Sequence, residues 1–323
     1  MQKASRWPSI KAHKPVPFQK LRHMIKFKRL VVIGVGLIGG SFALALKRAA
    51  IVDEVIGVDR SDAALNDALR LNVIDVALSL SDASQGVKGA DLVLLAVPVR
   101  QMAAAFALIK PLLGDHTIVM DCGSTKQDVI GVAVEKLGTK IAQFVPAHPI
   151  AGRETAGVAS ADATLFDGKN VVLTPLAENT ADAVSRVEDI WHACGAKVVS
   201  MSASAHDAVF AAVSHLPHML AFALVDELAA RPNAKSLFSF AASGFRDFTR
   251  IAGSSPEMWR DIALNNRDAL LTEMDAYIAK TRHLRGLIAT ADAAELSALM
   301  TRSRDARAQW LAGDLGSFRD DSA

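Results

Sequence analysis

Cysteine is nearly absent from this chain of 323 residues. Cys122 and Cys194 are the two, far apart and without metal-ligand spacing. That excludes a zinc-finger type of site and a secreted disulfide scaffold, and it fits a reducing, cytoplasmic setting. Long apolar runs are also missing. The richest, residues 219–225, stops at Asp226 and Glu227, so no membrane span is expected. Acidic residues are missing from residues 1–28, which hold eight of the chain's Lys and Arg. The remaining residues then carry 28 basic against 34 acidic side chains, a net of −6, and bulk charge excludes nucleic-acid binding. The basic leader has three prolines and lacks the apolar core of a secretory signal, with Met24 as an alternative start. It reads as a disordered extension without catalytic duty. There is no internal repeat. With 51% hydrophobic and 22% charged residues, the rest of the chain can bury a sizeable core in two domains.

The most informative stretch is residues 30–40, L-V-V-I-G-V-G-L-I-G-G. Four apolar residues read as a strand buried on both faces. Gly34, Gly36 and Gly39 follow at G-x-G-x-x-G spacing, with Leu37 and Ile38 between them, and a helical run covers residues 41–50. Gly34 permits a tight turn, Gly36 permits backbone approach to a pyrophosphate, and Gly39 permits close packing of helix on strand. A second strand, residues 55–58, ends at Asp59, placed to accept hydrogen bonds from the adenosine ribose. Its charge repels a ribose 2′-phosphate, so NAD is the expected cofactor. Arg60, beside it, is the one residue that would suit NADP.

Strand and helix patterns alternate to about residue 200. Further strands are read at residues 91–97, ended by Pro98, at 117–121, at 140–146, at 170–174 and at 197–200. Such alternation implies a Rossmann-type, doubly wound parallel sheet, an α/β fold, over residues 29–200. From Ser202 no strand pattern is found. A helix over 205–230 is interrupted near Pro217, a second starts at Ser254-Ser255-Pro256-Glu257 and runs to about 281, and a last one spans 292–311. Residues 201–312 therefore form an all-helical domain that must bury its apolar stripes on the first domain or on a second subunit. Residues 313–323 are a tail, too short for a further regulatory module.

Ligands bind outside the carboxyl ends of the strands of an open parallel sheet. Three motifs fall there: Val97-Pro98, D-C-G-S-T-K at 121–126, and A-H-P-I-A-G-R-E at 147–154. Ser124 precedes a helix and is either a cap or a site residue. His148, just past the fifth strand, suits proton transfer near neutral pH. In the helical half, S-H-L-P-H at 214–218 puts His215 and His218 close to one helix face. Two histidines with no third ligand do not make a metal site. G-F-R-D-F-T-R at 244–250 offers Arg246 or Arg250 to clamp a carboxylate, unless either pairs with Asp247, and Trp259 and Arg260 follow one element later. A nicotinamide dehydrogenase acting on an acidic substrate is expected.

These motifs, in this order and spacing over roughly residues 29–312, resemble the prephenate dehydrogenase family, which includes arogenate and cyclohexadienyl dehydrogenases. The resemblance implies NAD-dependent oxidative decarboxylation of prephenate or arogenate, in tyrosine biosynthesis, by a homodimer. It implies that His148 bonds the ring hydroxyl and accepts its proton, with Ser124 bonded at the same centre. His218 would bind substrate with His215 nearby, Arg250 would hold a carboxylate, and Glu154 and Asp247 would pair with it and gate the pocket. Tyrosine, being product-like, would be a feedback inhibitor. Rival readings are another two-domain reductase, such as a β-hydroxyacid dehydrogenase or a pyrroline carboxylate reductase, and an NAD-sensing protein without turnover. Neither accounts for His148 and Arg250 together with the S-H-L-P-H motif.

Overall fold

The computed structural model describes residues 10–13, 25–153 and 155–313. Its first layer is a five-stranded, all-parallel sheet of β2 (Phe27–Ile33), β3 (Val52–Val58), β4 (Val76–Leu78), β5 (Leu92–Leu95) and β6 (Ile118–Asp121), in the order β4-β3-β2-β5-β6. The apolar runs explain the central position of β2. Its partners are β3, with Leu30 opposite Val55, and β5, with Leu30 opposite Leu92. Strand pleating then sends Leu30 and Val32 into one core, with Phe42 and Leu46 of helix α1 (Leu37–Ala49). Val31 and Ile33 enter a second core on the other face, with Phe106 and Ile109. The chain leaves β2 in opposite directions on its two sides, so a crevice opens where the loops after β2 and β5 diverge.

A second, smaller sheet follows. It comprises β1 (Lys11–Ala12), β7 (Ala147–Pro149), β8 (Asn170–Leu173) and β9 (Lys197–Ser200), in the order β1-β9-β8-β7. Two sequence expectations change here. Residues 140–146 do not continue the parallel sheet as a fifth strand. Gly138–Gln143 is a 3-10 turn, and only Phe144 and Val145 bridge to Val119. Pro146 has no amide to extend that ladder. The Ala147 amide goes instead to the Asp121 side chain, and the chain turns into β7, antiparallel to β8. His148 therefore lies within a strand, opposite Val172, and not past the end of one. The basic leader, read as wholly disordered, contributes Lys11–Ala12 as an edge strand antiparallel to β9. Ile10 packs beside Val172 and Val199, and the His13 ring meets Ser200 Oγ at 2.9 Å and Glu188 at 3.1 Å.

From Ser202 on, no described residue is in a strand. Ala203–Ala229 is one continuous helix of 27 residues, with α2 (Asp62–Arg70), α3 (Ala83–Val87), α4 (Met102–Ile109), α5 (Gln127–Leu137) and α6 (Ala181–Ala193) before it in the chain. It comprises α7 (Ala203–Phe210), a π-helical turn (Ala211–His215) and α8 (Leu216–Ala229). Pro217 lacks an amide for the ladder, and the wider π turn accommodates the break; such turns recur at functional sites. By length and hydropathy this helix passes the test for a membrane span, contrary to the reading of the short run at 219–225. Its buried polar residues, however, find their partners inside the chain, as described below. Two short helices not foreseen, α9 (Ala234–Ser239) and α10 (Ser243–Thr249), lead through the 3-10 turn Arg250–Gly253 to α11 (Pro256–Asn265). The Ser255 hydroxyl caps α11, accepting from the Met258 amide, with Pro256 at the first turn. The helix expected to run on to 281 breaks at Asn266, and α12 (Arg267–Ala289) and α13 (Ala293–Ala312) complete the domain.

Candidate functional site

The glycine loop connects β2 to α1, and two of its three glycines have a steric reason. Gly34 has φ +95°, and a Cβ there would lie 2.4 Å from the Ala96 carbonyl oxygen and 3.1 Å from Val97. A Cβ on Gly39 would lie 2.3 Å from the Gly34 carbonyl oxygen and 2.8 Å from Val32, so helix and strand touch there. At Gly36 a Cβ would meet nothing within 4 Å: this is the open side of the loop. Gly36 is also the N-cap of α1, with no side chain on the helix amides and no acid in the first turn. Those amides, together with the helix dipole, favour an anion. Leu37 and Ile38 form the first turn, half-buried against the core. Asp59, at the end of β3, accepts from the Val35 amide at 2.9 Å and the Ser61 amide at 3.0 Å, which ties the loop to the neighbouring strand. Arg60 and Pro98 are exposed. The residues present fit a dinucleotide: open glycine backbone, a helix N-terminus without a side-chain cap and a carboxylate after the next strand.

The second part of the site lies at the ends of β6 and β7. Asp121 and Lys126 form a fully buried ion pair. Asp121 Oδ2 also accepts from the Gly123 amide, while Oδ1 accepts from the Ala147 amide at 3.0 Å. One carboxylate thus joins the loop carrying Ser124 to the strand carrying His148. Ser124 is half-buried and is not the helix cap, because α5 begins three residues later, and it makes no hydrogen bond to His148 among the described residues. The cap comes from the other domain. Asp207 on α7 accepts from the Lys126 and Gln127 amides, each at 2.9 Å.

Asp207 also pairs with His206, whose Nδ1 lies 2.8 Å from Oδ1, and His206 Nε2 lies 2.8 Å from His148 Nδ1. Phe210 packs against both rings, at 4.9 and 4.5 Å between centroids. Burial, with the neighbouring charges of His206, Lys126 and His215, holds His148 well below the usual imidazole range, so it is neutral at pH 7. Burial likewise lowers His206, against the opposing pull of Asp207. Burial pushes the Asp207 carboxyl up, but the hydrogen bonds from His206 and the two amides outweigh it, and Asp207 titrates below its usual value.

The helical half adds the remaining candidates. Asn266, at the α11–α12 break, donates through Nδ2 to the Asp207 carbonyl at 2.8 Å and to His215 Nδ1 at 3.0 Å. His215 is buried and lowered to about 4, chiefly by desolvation. His218, one turn on, donates from Nδ1 to the Ser214 carbonyl at 2.9 Å and stacks on Trp259 at 3.5 Å. Trp259 is buried beneath it, and its indole N–H has no acceptor among the described residues. Arg250 lies close enough to His218 for its charge to depress that imidazole, after the larger effect of burial. Asp247 is exposed on α10. Glu154 lies outside the described residues.

The structure therefore brings Ser124, His148, His215, His218, Trp259 and Arg250 to one seam between the domains. Sequence reasoning missed His206, Asn266 and the anchoring roles of Asp121, Lys126 and Asp207. The adjacent pair His206-Asp207 near a helix start was the visible signal, but its partners lie 58 and about 80 residues away in the chain.

Comparison with known proteins points the same way. A family model described as prephenate dehydrogenase, nucleotide-binding domain, matches residues 42–200, and one described as prephenate dehydrogenase, dimerization domain, matches residues 202–302. A cyclohexadienyl dehydrogenase of Zymomonas mobilis is 38% identical over 286 residues, 88% of this chain and 96% of that one. A prephenate dehydrogenase of Bacillus subtilis is also 38% identical, over 86% of this chain and 75% of its own length. Among solved structures, prephenate dehydrogenase from Aquifex aeolicus in complex with hydroxyphenyl propionate and NAD+ superposes with a TM-score of 0.83 at 34% identity, covering 88% of this chain and 99% of that one. Given agreement of this extent across both domains, the chain belongs to the prephenate dehydrogenase family.

Proposed function

We propose that this chain catalyses the NAD-dependent oxidative decarboxylation of a cyclohexadienyl carboxylate, prephenate or its amino counterpart arogenate, in tyrosine biosynthesis. The observation that carries the reading is His148: a neutral imidazole on β7, whose strand is tied through Asp121 to the loop after β6 and whose ring is hydrogen-bonded to His206 of the helical half that also supplies Arg250 and His218. Gly34, Gly36, Leu37, Ile38, Gly39, Asp59, Val97 and Pro98 hold the dinucleotide. NAD+, when bound, takes up the hydride from the ring carbon that bears the hydroxyl. His148 accepts the hydroxyl proton as that carbon is oxidised. It returns the proton to the oxygen as carbon dioxide leaves the opposite ring carbon and the ring becomes aromatic, so no proton is gained or lost overall. Arg250 pairs with a substrate carboxylate, His218 orients the ring, and Ser124 lies beside the reacting centre. Asp247 would gate the approach to Arg250, a role that the family resemblance also assigns to Glu154, which lies outside the described residues.

Asp59 makes NAD the favoured cofactor. The helical half, with its exposed apolar residues, assembles a homodimer, and tyrosine, resembling the product, competes for the same cleft. NADH absorbance on adding prephenate or arogenate tests the central reading. Turnover with either supports it, and no turnover with both overturns it. Clear preference for NADP in the same assay would defeat the argument from Asp59.

A further inference from the structure

We propose that His206 and Asp207 are a positioning pair that holds the His148 imidazole in a single tautomer, with its proton on Nδ1 and Nε2 left as a lone pair. This rests on the reading of His148 as the proton acceptor. The argument is one of donors and acceptors. The Asp207 carboxylate accepts three hydrogen bonds, from the Lys126 and Gln127 amides and from His206. An ionised carboxylate has no proton to give, so His206 Nδ1 must be the donor. A neutral imidazole carries one N–H, and His206 Nε2 is then an acceptor. Its partner at 2.8 Å is His148 Nδ1, which must donate. Only Nε2 of His148 remains, and it is unprotonated.

Each member of the chain is held independently. The Asp207 carboxylate is fixed by the amides that open α5, and its carbonyl by Asn266. Phe210 packs edge-on to the His148 ring and at a tilt to that of His206. His148 belongs to β7 and His206 to α7, so the tautomer is set only when the helical half is docked. When His148 takes a proton on Nε2, the new positive charge faces the His206 lone pair, with the Asp207 carboxylate behind it. A histidine base backed by an acceptor in this way gains both the correct tautomer and support for its charged form.

The test uses the full chain labelled with 15N-histidine and long-range nitrogen–proton correlation spectra. The His148 signals are assigned by their loss in His148→Asn. In the unmodified protein His148 should read as the Nδ1–H form. His206→Gln places an amide oxygen where Nε2 was, so it should keep that form. His206→Leu offers no acceptor and should give a tautomer mixture. In NADH assays at saturating NAD, His206→Leu should lower kcat about 10²-fold with KM changed by less than about threefold, and His206→Gln should recover most of the loss. An Nε2–H signal for His148 in the unmodified protein would overturn the proposal. So would an unchanged kcat in His206→Leu, or equal losses in the Leu and Gln variants, which would make the pair a domain fastener only. Absence of turnover in the unmodified protein would sink the proposed function, and the spectra would still decide the tautomer.

Discussion

The two halves of the chain bury their apolar residues to different degrees. In the nucleotide half, every residue of the central runs Leu30–Ile33 and Leu92–Leu95 is at most 2% exposed. In the helical half, α13 buries none of its 20 residues, and Phe240 (85% exposed), Trp310 (64%) and Ile288 (62%) stand open. A parallel sheet covered on both faces closes its own core. A few long helices with stripes on more than one side do not, and they leave an apolar surface of the kind that another chain covers. The lesson is a division of labour: the glycine loop and Asp59 lie wholly within the first half, whereas His148 meets the second half only along the docked edge.

The strongest way to break that comparison is His148→Asn. If the nucleotide half is self-sufficient for binding, NAD affinity should stay within about twofold while kcat falls by about 10²–10⁴-fold, the usual contribution of a general base. Titration calorimetry with NAD and steady-state turnover check both parts, and near-normal turnover would remove His148 from its role. Arg250→Ala addresses the helical half and should act through substrate. Loss of a charge-assisted contact worth about 1.5–3 kcal/mol raises KM by about 10–10²-fold, with NAD binding unchanged. An unchanged KM would argue against the clamp.

Assembly comes next. Placing Glu at both Ile288 and Trp310 should weaken the dimer at least about tenfold in sedimentation equilibrium, without altering NAD affinity. A variant that stays fully dimeric would show that the open surface elsewhere in the helical half is the one that pairs.

The smallest effect is on pH. His148 and His215 are both depressed, His215 to about 4. A histidine whose folded value lies below its unfolded value confers stability above the unfolded value of about 6.5 that is lost as pH falls. Here the unfolded chain takes up protons between about 6.5 and 4 that the folded site refuses. Chemical-denaturation midpoints should therefore decline over that window, and His215→Asn should flatten the decline. Turnover should likewise hold through pH 6.5, since His148 stays neutral there. An acid limb centred at 6.5 or above would contradict the burial of that ring.

Local pattern was enough for the parts of the molecule whose physics is local. The run 30–33, the glycines at 34, 36 and 39, and Asp59 all lie within one β-α-β unit, and the structure gives Gly34 and Gly39 a steric reason while Gly36 faces open space. The strand at residues 197–200 and the Ser255-Pro256 helix start are also where their residue types place them. His148, His215, His218 and Arg250 were recognisable as chemistry-bearing residues, although not as neighbours. The strand expected at 140–146 was misread because apolar content does not reveal that Pro146 ends the ladder and that Asp121 captures the next amide. The leader's edge strand was missed because two residues have no periodicity to read.

What tertiary structure alone decided is the seam. Hydrogen bonds from His148 to His206 and from Asp207 to the α5 amides join residues on different domains. No spacing rule encodes such bonds, since sequence periodicity reports which face of an element is apolar and not which distant group that face will meet. The sequence determined a dinucleotide-binding sheet, a helical partner and an imidazole of the right kind; docking the two halves determined which nitrogen of that imidazole is free to take a proton.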